Sequence, residues 1–240
     1  MTTTVAPWLF ETVDGTWPAA RYLPLGPWTL REGLGGGSRV SAASANGPVT
    51  EVDIAQAEAG MRDLGQRPLF MIRPGDEALD ALLAARGYAV MDPVWAYACP
   101  VETLTDVPVP RVTVLPVWEP LAIMREIWAA GGIGPERVAV MERAAGPKVA
   151  LLARYNDKPG GAAFVAIHQG VAMLHALEIL PHQRKQGLAK WMMRGAAVWA
   201  AANGARTLSV VCTRANDGAN ALYSSLGMSV VGGYHYRTLQ

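Results

Sequence analysis

In the stretch PHQRKQGLAK, residues 181–190, Arg184, Lys185 and Lys190 surround Gly187 and Ala189, just after an apolar run and just before a helical pattern. A turn that leaves a strand and feeds a helix presents backbone N–H groups with no intrahelical carbonyl to bond, and the helix dipole adds partial positive charge there. Gly187 and Ala189 leave that backbone open to a ligand, and the three cations strengthen the pull on an anion. The segment is therefore predicted to cradle a pyrophosphate. It is not a P-loop, because no Lys-Ser or Lys-Thr follows the glycine, and it lacks the G-x-G-x-x-G spacing of a dinucleotide fingerprint.

Two further side chains have chemistry to offer. Tyr223, in NDGANALYSSLGM (216–228), carries a phenol that stays protonated at neutral pH and can donate to a thiolate, or else packs in the core with its hydroxyl satisfied. His175, in VAMLHALEI (171–179), is the local candidate for a general base, with a structural residue as the alternative. Regular alternation along that strand puts Met173, His175, Leu177 and Ile179 on one face and Glu178 on the other. Asn216 stands where either a helix N-cap or a ligand contact is expected.

The elements that must position these groups are clearest after Gly146. KVALLARY, AAFVAIH and VAMLHALEI read as three strands, the first two joined by a hairpin turn at NDKPGG. A helix follows in GLAKWMMRGAAVWAAANG, with Leu188, Trp191, Met192 and Trp199 at helical spacing and Asn203-Gly204 ending it. RTLSVVC then reads as a strand, DGANALYSSLG as a short helix, and MSVVGGYHYRTL as one or two terminal strands. In the first half a helix is predicted from Val52 to Leu64, and the glycine-rich LREGLGGGSRV reads as a loop. DEALDALLAARGYAV (76–90) laid on NDGANALYSSLGMSV (216–230) matches Leu82 with Leu222, Gly87 with Gly227 and Val90 with Val230, which predicts an internal duplication at a period of about 140 residues. The Pro-rich CPVETLTDVPVPRVTVLP is the linker candidate between the halves.

The pattern R/Q-x-x-G-x-G/A at Arg184–Ala189, followed about thirty residues later by N-x-x-A-x-x-L-Y-x-x-x-G at Asn216–Gly227, resembles the GNAT superfamily of N-acetyltransferases over roughly residues 110–240. The resemblance implies an α/β (α+β) GNAT fold, a mixed and mostly antiparallel twisted sheet flanked by helices, in a tandem arrangement. A degenerate GNAT-like domain is expected over residues 1–105 and a catalytic one over 106–240. It implies acetyl-CoA as co-substrate, with the pyrophosphate held by Arg184, Lys185, Gln186, Gly187, Leu188, Ala189 and Lys190. The pantetheine arm would pair with the backbone of Leu177, Glu178 and Ile179, near Asn216. Tyr223 would protonate the departing thiolate, and some members of the family carry a catalytic histidine at the position of His175. Val211 stands where members acting on protein N-termini carry a glutamate, which weakens that substrate class. The first half has Leu83 in place of the tyrosine and no cradle before it.

The expected reaction is direct acetyl transfer to a primary amine of a small molecule, with no metal. A CoA-binding or sensing module without turnover, and a protein lysine acetyltransferase, are the alternatives. The 240 residues are 51% hydrophobic with 21 basic against 20 acidic residues, so neither nucleic acid nor an anionic membrane is an expected partner. Cys99 and Cys212 form no disulfide or zinc pattern and read as buried thiols. The N-terminal stretch shows neither a basic n-region nor an apolar core, and no run of about 18 apolar residues occurs, so a cytoplasmic monomer or homodimer is expected. Trp8, Trp17, Trp28 and Trp95 are candidates for an aromatic pocket. Glu136, Arg137 and Glu142 are candidates for acceptor contacts.

Overall fold

Strands apolar on both faces, such as KVALLARY and AAFVAIH, are suited to burial on both sides, and the computed structural model, which describes residues 5–239, packs them that way. The first four residues of the N-terminal stretch read above lie outside the described residues. The first half runs α1 (Leu9–Thr16), β1 (Arg21–Leu25), β2 (Trp28–Glu32), β3 (Ser44–Ala45), α2 (Glu51–Asp63), β4 (Leu69–Ile72), α3 (Glu77–Ala85) and β5 (Ala89–Pro100). After α4 (Glu102–Thr105), β6 (Val114–Val117), α5 (Ala122–Ala130) and α6 (Pro135–Arg143) lead into β7 (Lys148–Tyr155), β8 (Lys158–His168) and β9 (Val171–Ile179). The chain closes with α7 (Leu188–Ala202), β10 (Thr207–Thr213), α8 (Asp217–Ser225) and β11 (Ser229–Thr238).

Eight strands form one mixed sheet in the order β4-β11-β5-β10-β9-β8-β7-β6. Neighbours are antiparallel except β9 and β10, which are parallel. The strands β1, β2 and β3 make a second sheet that meets β4 through a parallel bridge from Ala43 to Phe70. Leu188, Met192, Ala196 and Ala200 give α7 a buried stripe at i, i+4 spacing, and its alanines let the helix lie close on β7, β8 and β9. The other face is covered by α1, α5 and α6, where Trp17, Trp128 and Met141 pack on Ala150, Phe164 and Ala166.

The duplication expected from sequence is built into the strand register. The helices α3 and α8 are each nine residues long and start 140 positions apart, at Glu77 and Asp217. Each is closed by a left-handed glycine, Gly87 at φ 84° and Gly227 at φ 76°. Next to the β4 edge of the sheet, β5 and β11 pair with Ser229 opposite Ala98 and Ala89 opposite Thr238, which are the same two repeat positions exchanged. The flanking pairs obey the same exchange, with Cys212 opposite Trp95 and His235 opposite Ile72. Two strand–helix–strand units thus interlock about a pseudo-twofold axis between β5 and β11.

The expected boundary near residue 105 therefore divides two repeats in the sequence but not two sheets, because β5 lies between two strands of the second half. The Pro-rich segment is anchored rather than loose. Val101 and Leu104 are buried, and Arg194 of α7 donates to the Leu104 carbonyl at 3.3 Å and pairs with Asp106. The terminal segment read as one or two strands is the single strand β11.

The two repeats differ where their long helices begin. At α2 the Thr50 hydroxyl accepts from the Asp53 N–H and the Asp53 carboxylate accepts from the Thr50 N–H at 2.7 Å, a complete capping box. Removing it with Thr50→Ala is expected to cost about 1 kcal/mol and lower Tm by roughly 2–4 °C. A thermal melt that shows no change would mean that α2 is held by its packing alone.

Candidate active site

Where the second half repeats that helix start, the cap is missing. Gly187 occupies the N-cap of α7 at φ 80°, in the left-handed region that glycine enters without strain, and no side chain bonds the first-turn amides. Leu188 is buried beneath the turn against Gly160, so it anchors the turn from below. Lys185, Gln186 and Lys190 are exposed around it. Arg184 is already engaged: it donates to the Ile179 carbonyl and to the Glu178 carboxylate, both at 3.1 Å, tying the turn to the end of β9.

A cleft opens beside this turn because two strands part. The parallel ladder between β9 and β10 runs from Val171–Thr207 to Leu174–Val210 and stops. Immediately beyond, Ala176 adopts φ 51° and the β8–β9 register slips, with Phe164 opposite His175 but Ala162 opposite Glu178. This β-bulge turns the strand end away from β10 and leaves backbone without a ladder partner there.

The bulge also overturns the alternation expected for β9. His175 faces Trp17 and Phe164, whereas Leu177 and Ile179 pack with Leu174 against the α7 core. Glu178 instead shares the His175 face, close enough to α5 that a Cβ on Gly131 would collide with its carboxylate. A single extra residue in one strand shifts every later side chain to the opposite face, and a bulge of this kind carries no period-2 signal.

The parted strands enclose a cavity of about 600 Å³ that brings together His175, Leu177, Glu178, Ile179, Arg184, Ala189, Asn216 and Tyr223. Lys185, Gln186, Gly187, Leu188 and Lys190 are not in its lining. Asn216 is the N-cap of α8, accepting from the Ala219 N–H at 3.0 Å, and it lines the cavity as well. Tyr223 is buried beside Tyr97, and burial pushes its phenol above the usual range. Cys212 is half-buried rather than buried, and desolvation pushes its thiol up to about 11. Asn220 was not singled out by sequence reading. Its amide donates to the carbonyls of Thr213, Arg214 and Asn216, and its oxygen accepts from the Tyr97 hydroxyl at 2.9 Å, so it clamps the start of α8 to the end of β10. Its only sequence signal is an Asn inside an otherwise apolar helical pattern.

A second cavity of about 220 Å³ adjoins the first, and the two share Arg39, Ala176, Val211, Cys212 and Thr213. Much of its wall comes from the first half: Trp17, Gly36, Gly37, Ser38 and Asp92. The glycine-rich loop thus faces the site, a placement that its composition alone did not reveal. Of the four candidate tryptophans Trp17 lines this cavity, Trp28 is in the core, and Trp95 lies under the Arg214 guanidinium at 3.6 Å. Arg137 lines it too, whereas Glu142 pairs with Arg125.

His175 lines the larger cavity with both ring nitrogens engaged. Arg39 Nη1 lies 2.9 Å from Nδ1, and a guanidinium can only donate, so Nδ1 accepts. The proton is then on Nε2, which donates to Thr16 Oγ1 at 2.9 Å while that hydroxyl donates to the Thr12 carbonyl at 2.6 Å. Complete burial and the adjacent Arg39 hold the imidazole well below its ordinary pKa.

A strand-parting bulge and an uncapped glycine turn thus flank a cavity that Tyr223 lines. Residues 121–228 match the model of the Acetyltransferase (GNAT) family, and this segment is a GNAT domain. Over 233 residues the chain is 24% identical to the Uncharacterized N-acetyltransferase YobR of Bacillus subtilis (strain 168), covering 92% of this chain and 94% of that protein. A GCN5-related N-acetyltransferase from Kribbella flavida has a similar fold, with TM-score 0.68 at 19% identity over 99% of this chain and 96% of its own. A tandem GNAT protein from the clavulanic acid biosynthesis pathway aligns with TM-score 0.59 at 13% identity, over 82% of this chain and 74% of its own. Among the described residues no helix is long and apolar enough to cross a membrane.

Neutral burial of His175 has a pH signature. The unfolded chain takes up a proton near pH 6.5 that the native imidazole refuses, so this contribution is complete above about pH 7 and is lost as pH falls, by up to about 1.4 kcal/mol per unit. Urea midpoints measured from pH 7.5 to 5 should fall with pH, and less steeply in His175→Gln. An unchanged slope in that variant would assign the proton uptake to other groups.

Proposed function

We propose that the protein transfers an acetyl group from acetyl-CoA to the primary amine of a small molecule, by direct attack with both substrates bound. The observation that carries this reading is the pair of cavities meeting at Ala176 and Cys212, one lined by the cradle side and Tyr223, the other by the first half of the chain. The larger cavity suits a long, thin ligand with an anionic end. The first-turn amides of α7, with Lys185 and Lys190 around them, would hold the pyrophosphate, and the free edge of Leu177–Ile179 would pair with the amide-bearing arm. Acetyl-CoA supplies the acyl group as an activated thioester.

The remaining chemistry falls to side chains. Tyr223 stays protonated and is suited to donate to a departing thiolate, whose conjugate acid lies near 8.5. His175 is a poor base, because its lone pair is held by Arg39 and its cation is disfavoured, so we assign it the positioning of Arg39. Glu178, turned onto the same face by the bulge, is the carboxylate we assign to accept the amine proton. The Cys212 thiol, held protonated by burial, is a weak nucleophile, which favours direct transfer over an acyl-cysteine. The smaller cavity lies below the roughly 300–1,000 Å³ typical of drug-sized ligand sites, which favours a small acceptor over a protein segment.

Acetyl-CoA at about a hundred times its Kd is expected to stabilise the chain by roughly 2.7 kcal/mol, a rise of several degrees in Tm, and Gly187→Val should remove most of that rise. No rise at millimolar acetyl-CoA would overturn the assignment of the larger cavity. Tyr223→Phe should lower turnover at least about tenfold while acetyl-CoA affinity holds. Turnover unchanged in that variant would remove Tyr223 from the mechanism, and binding without any turnover would leave a CoA-binding module.

A further inference from the structure

The smaller cavity, which takes the acceptor on the reading just given, is rich in donors and poor in acceptors. Arg39 reaches it with its guanidinium stacked 4.9 Å from the Trp17 ring and one amino group spent on His175, so its plane is fixed and its remaining N–H groups are available. Arg137 reaches it from the first turn of α6, lying against the glycine turn so closely that a Cβ on Gly37 would touch the guanidinium at 3.5 Å. Among the described residues neither guanidinium is paired with a carboxylate. Tyr234 and Tyr236 add two buried phenols that burial holds protonated. The carboxylate in the lining, Asp92, is exposed to solvent on β5. Two guanidiniums facing one small cavity with no buried carboxylate between them form a site for an anionic group, and the planar fork of arginine matches a carboxylate in two parallel bonds.

Resting on the transferase reading, we propose that the acceptor is an amine that also carries a carboxylate, an amino acid or a short derivative of one. Its carboxylate lies on Arg39 and Arg137, and its amino group points toward Ala176 and Cys212, where the cavities meet. In the transfer the amine nitrogen forms the new C–N bond as the thioester C–S bond breaks. The amine proton goes to Glu178, and the departing thiolate takes a proton from Tyr223. The first half of the chain, which lacks a cradle of its own, thereby supplies part of the specificity.

The test uses pairs of acceptors that differ in the acid alone, such as alanine and alaninamide, with the full chain. Thiol release with acetyl-CoA and calorimetric binding without it are both read. The amide has the less basic amino group, so ionisation of the amine works against the expected result. The acid should be favoured at least about tenfold in kcat/KM and in Kd. Arg137 is exposed, so substituting it leaves the core intact. Arg137→Met should reduce the preference to about twofold or less, and Arg137→Glu should reverse it. An amide bound and acetylated as well as the acid would overturn the proposal, as would an unchanged preference in Arg137→Met. Aminoethyl phosphate binding more tightly than every amino acid tested would also overturn it. If acetyl-CoA produces no thermal shift, the transferase reading falls, and the calorimetric preference still decides whether the cavity selects a carboxylate.

Discussion

The site exists because β9 and β10 stop pairing after Leu174 and Val210. Parallel neighbours in a buried sheet ordinarily continue until one strand ends, since every unpaired backbone group inside a protein must find another partner. Here the bulge at Ala176 breaks the ladder in mid-strand, and the protein satisfies only part of the loss itself. Trp128 Nε1 bonds the Ala176 carbonyl at 2.8 Å and Arg184 the Ile179 carbonyl at 3.1 Å. The rest of that edge, Leu177, Glu178 and Ile179, lines the larger cavity. The same bulge turns Glu178 and His175 to one face and packs Leu177 and Ile179, half-buried, against the α7 core.

The pseudo-twofold arrangement makes the two halves comparable position by position, and the differences are chemical. Both long helices start after a break in strand pairing. One is closed by Thr50 and Asp53, which satisfy its amides and set a carboxylate where an anion would have to sit. The other begins at Gly187 with its amides unmet. Leu83 is fully buried where Tyr223 lines the cleft. The first half therefore meets its helix-start amides by ordinary capping and buries Leu83 in its core, and it retains the strand pairing that holds β11 in place. What it gives the site comes from elsewhere, from Trp17, the Gly36–Gly37 turn and Arg39.

Much of this was legible in the sequence, for reasons that differ by element. The strands β7 and β9 have the bounds expected, because long apolar runs between turn residues leave little freedom of register. The repeat was legible at α3 and α8, since the two helices end on glycines that must be left-handed. The two motifs marked the uncapped turn at Gly187 and the helix that carries Tyr223. The face of Leu177 and Glu178 was not legible, because a bulge depends on how a neighbouring strand terminates rather than on any residue in the strand itself. The placement of β5 between β10 and β11 was equally hidden, as was the role of the glycine-rich loop. Both depend on contacts between residues more than a hundred positions apart, of which Arg39 with His175 is the most consequential.

That contact ties recognition to folding. The Arg39 guanidinium is held over Trp17 by His175, and the imidazole can accept from Arg39 because Thr16 of α1 takes its proton. In α1 the Thr16 hydroxyl bonds back to Thr12, and the Arg31–Asp14 pair, with Arg31 fully buried, fixes the same helix to the small sheet. A chain of bonds therefore runs from the first-half sheet through α1 and His175 to the wall of the smaller cavity. The links through Thr16 are buried and the other two partly so, which makes each stronger than its surface counterpart and more costly to leave unpaired. The interlocked sheet and this network together explain how residues of both halves come to wall one cavity.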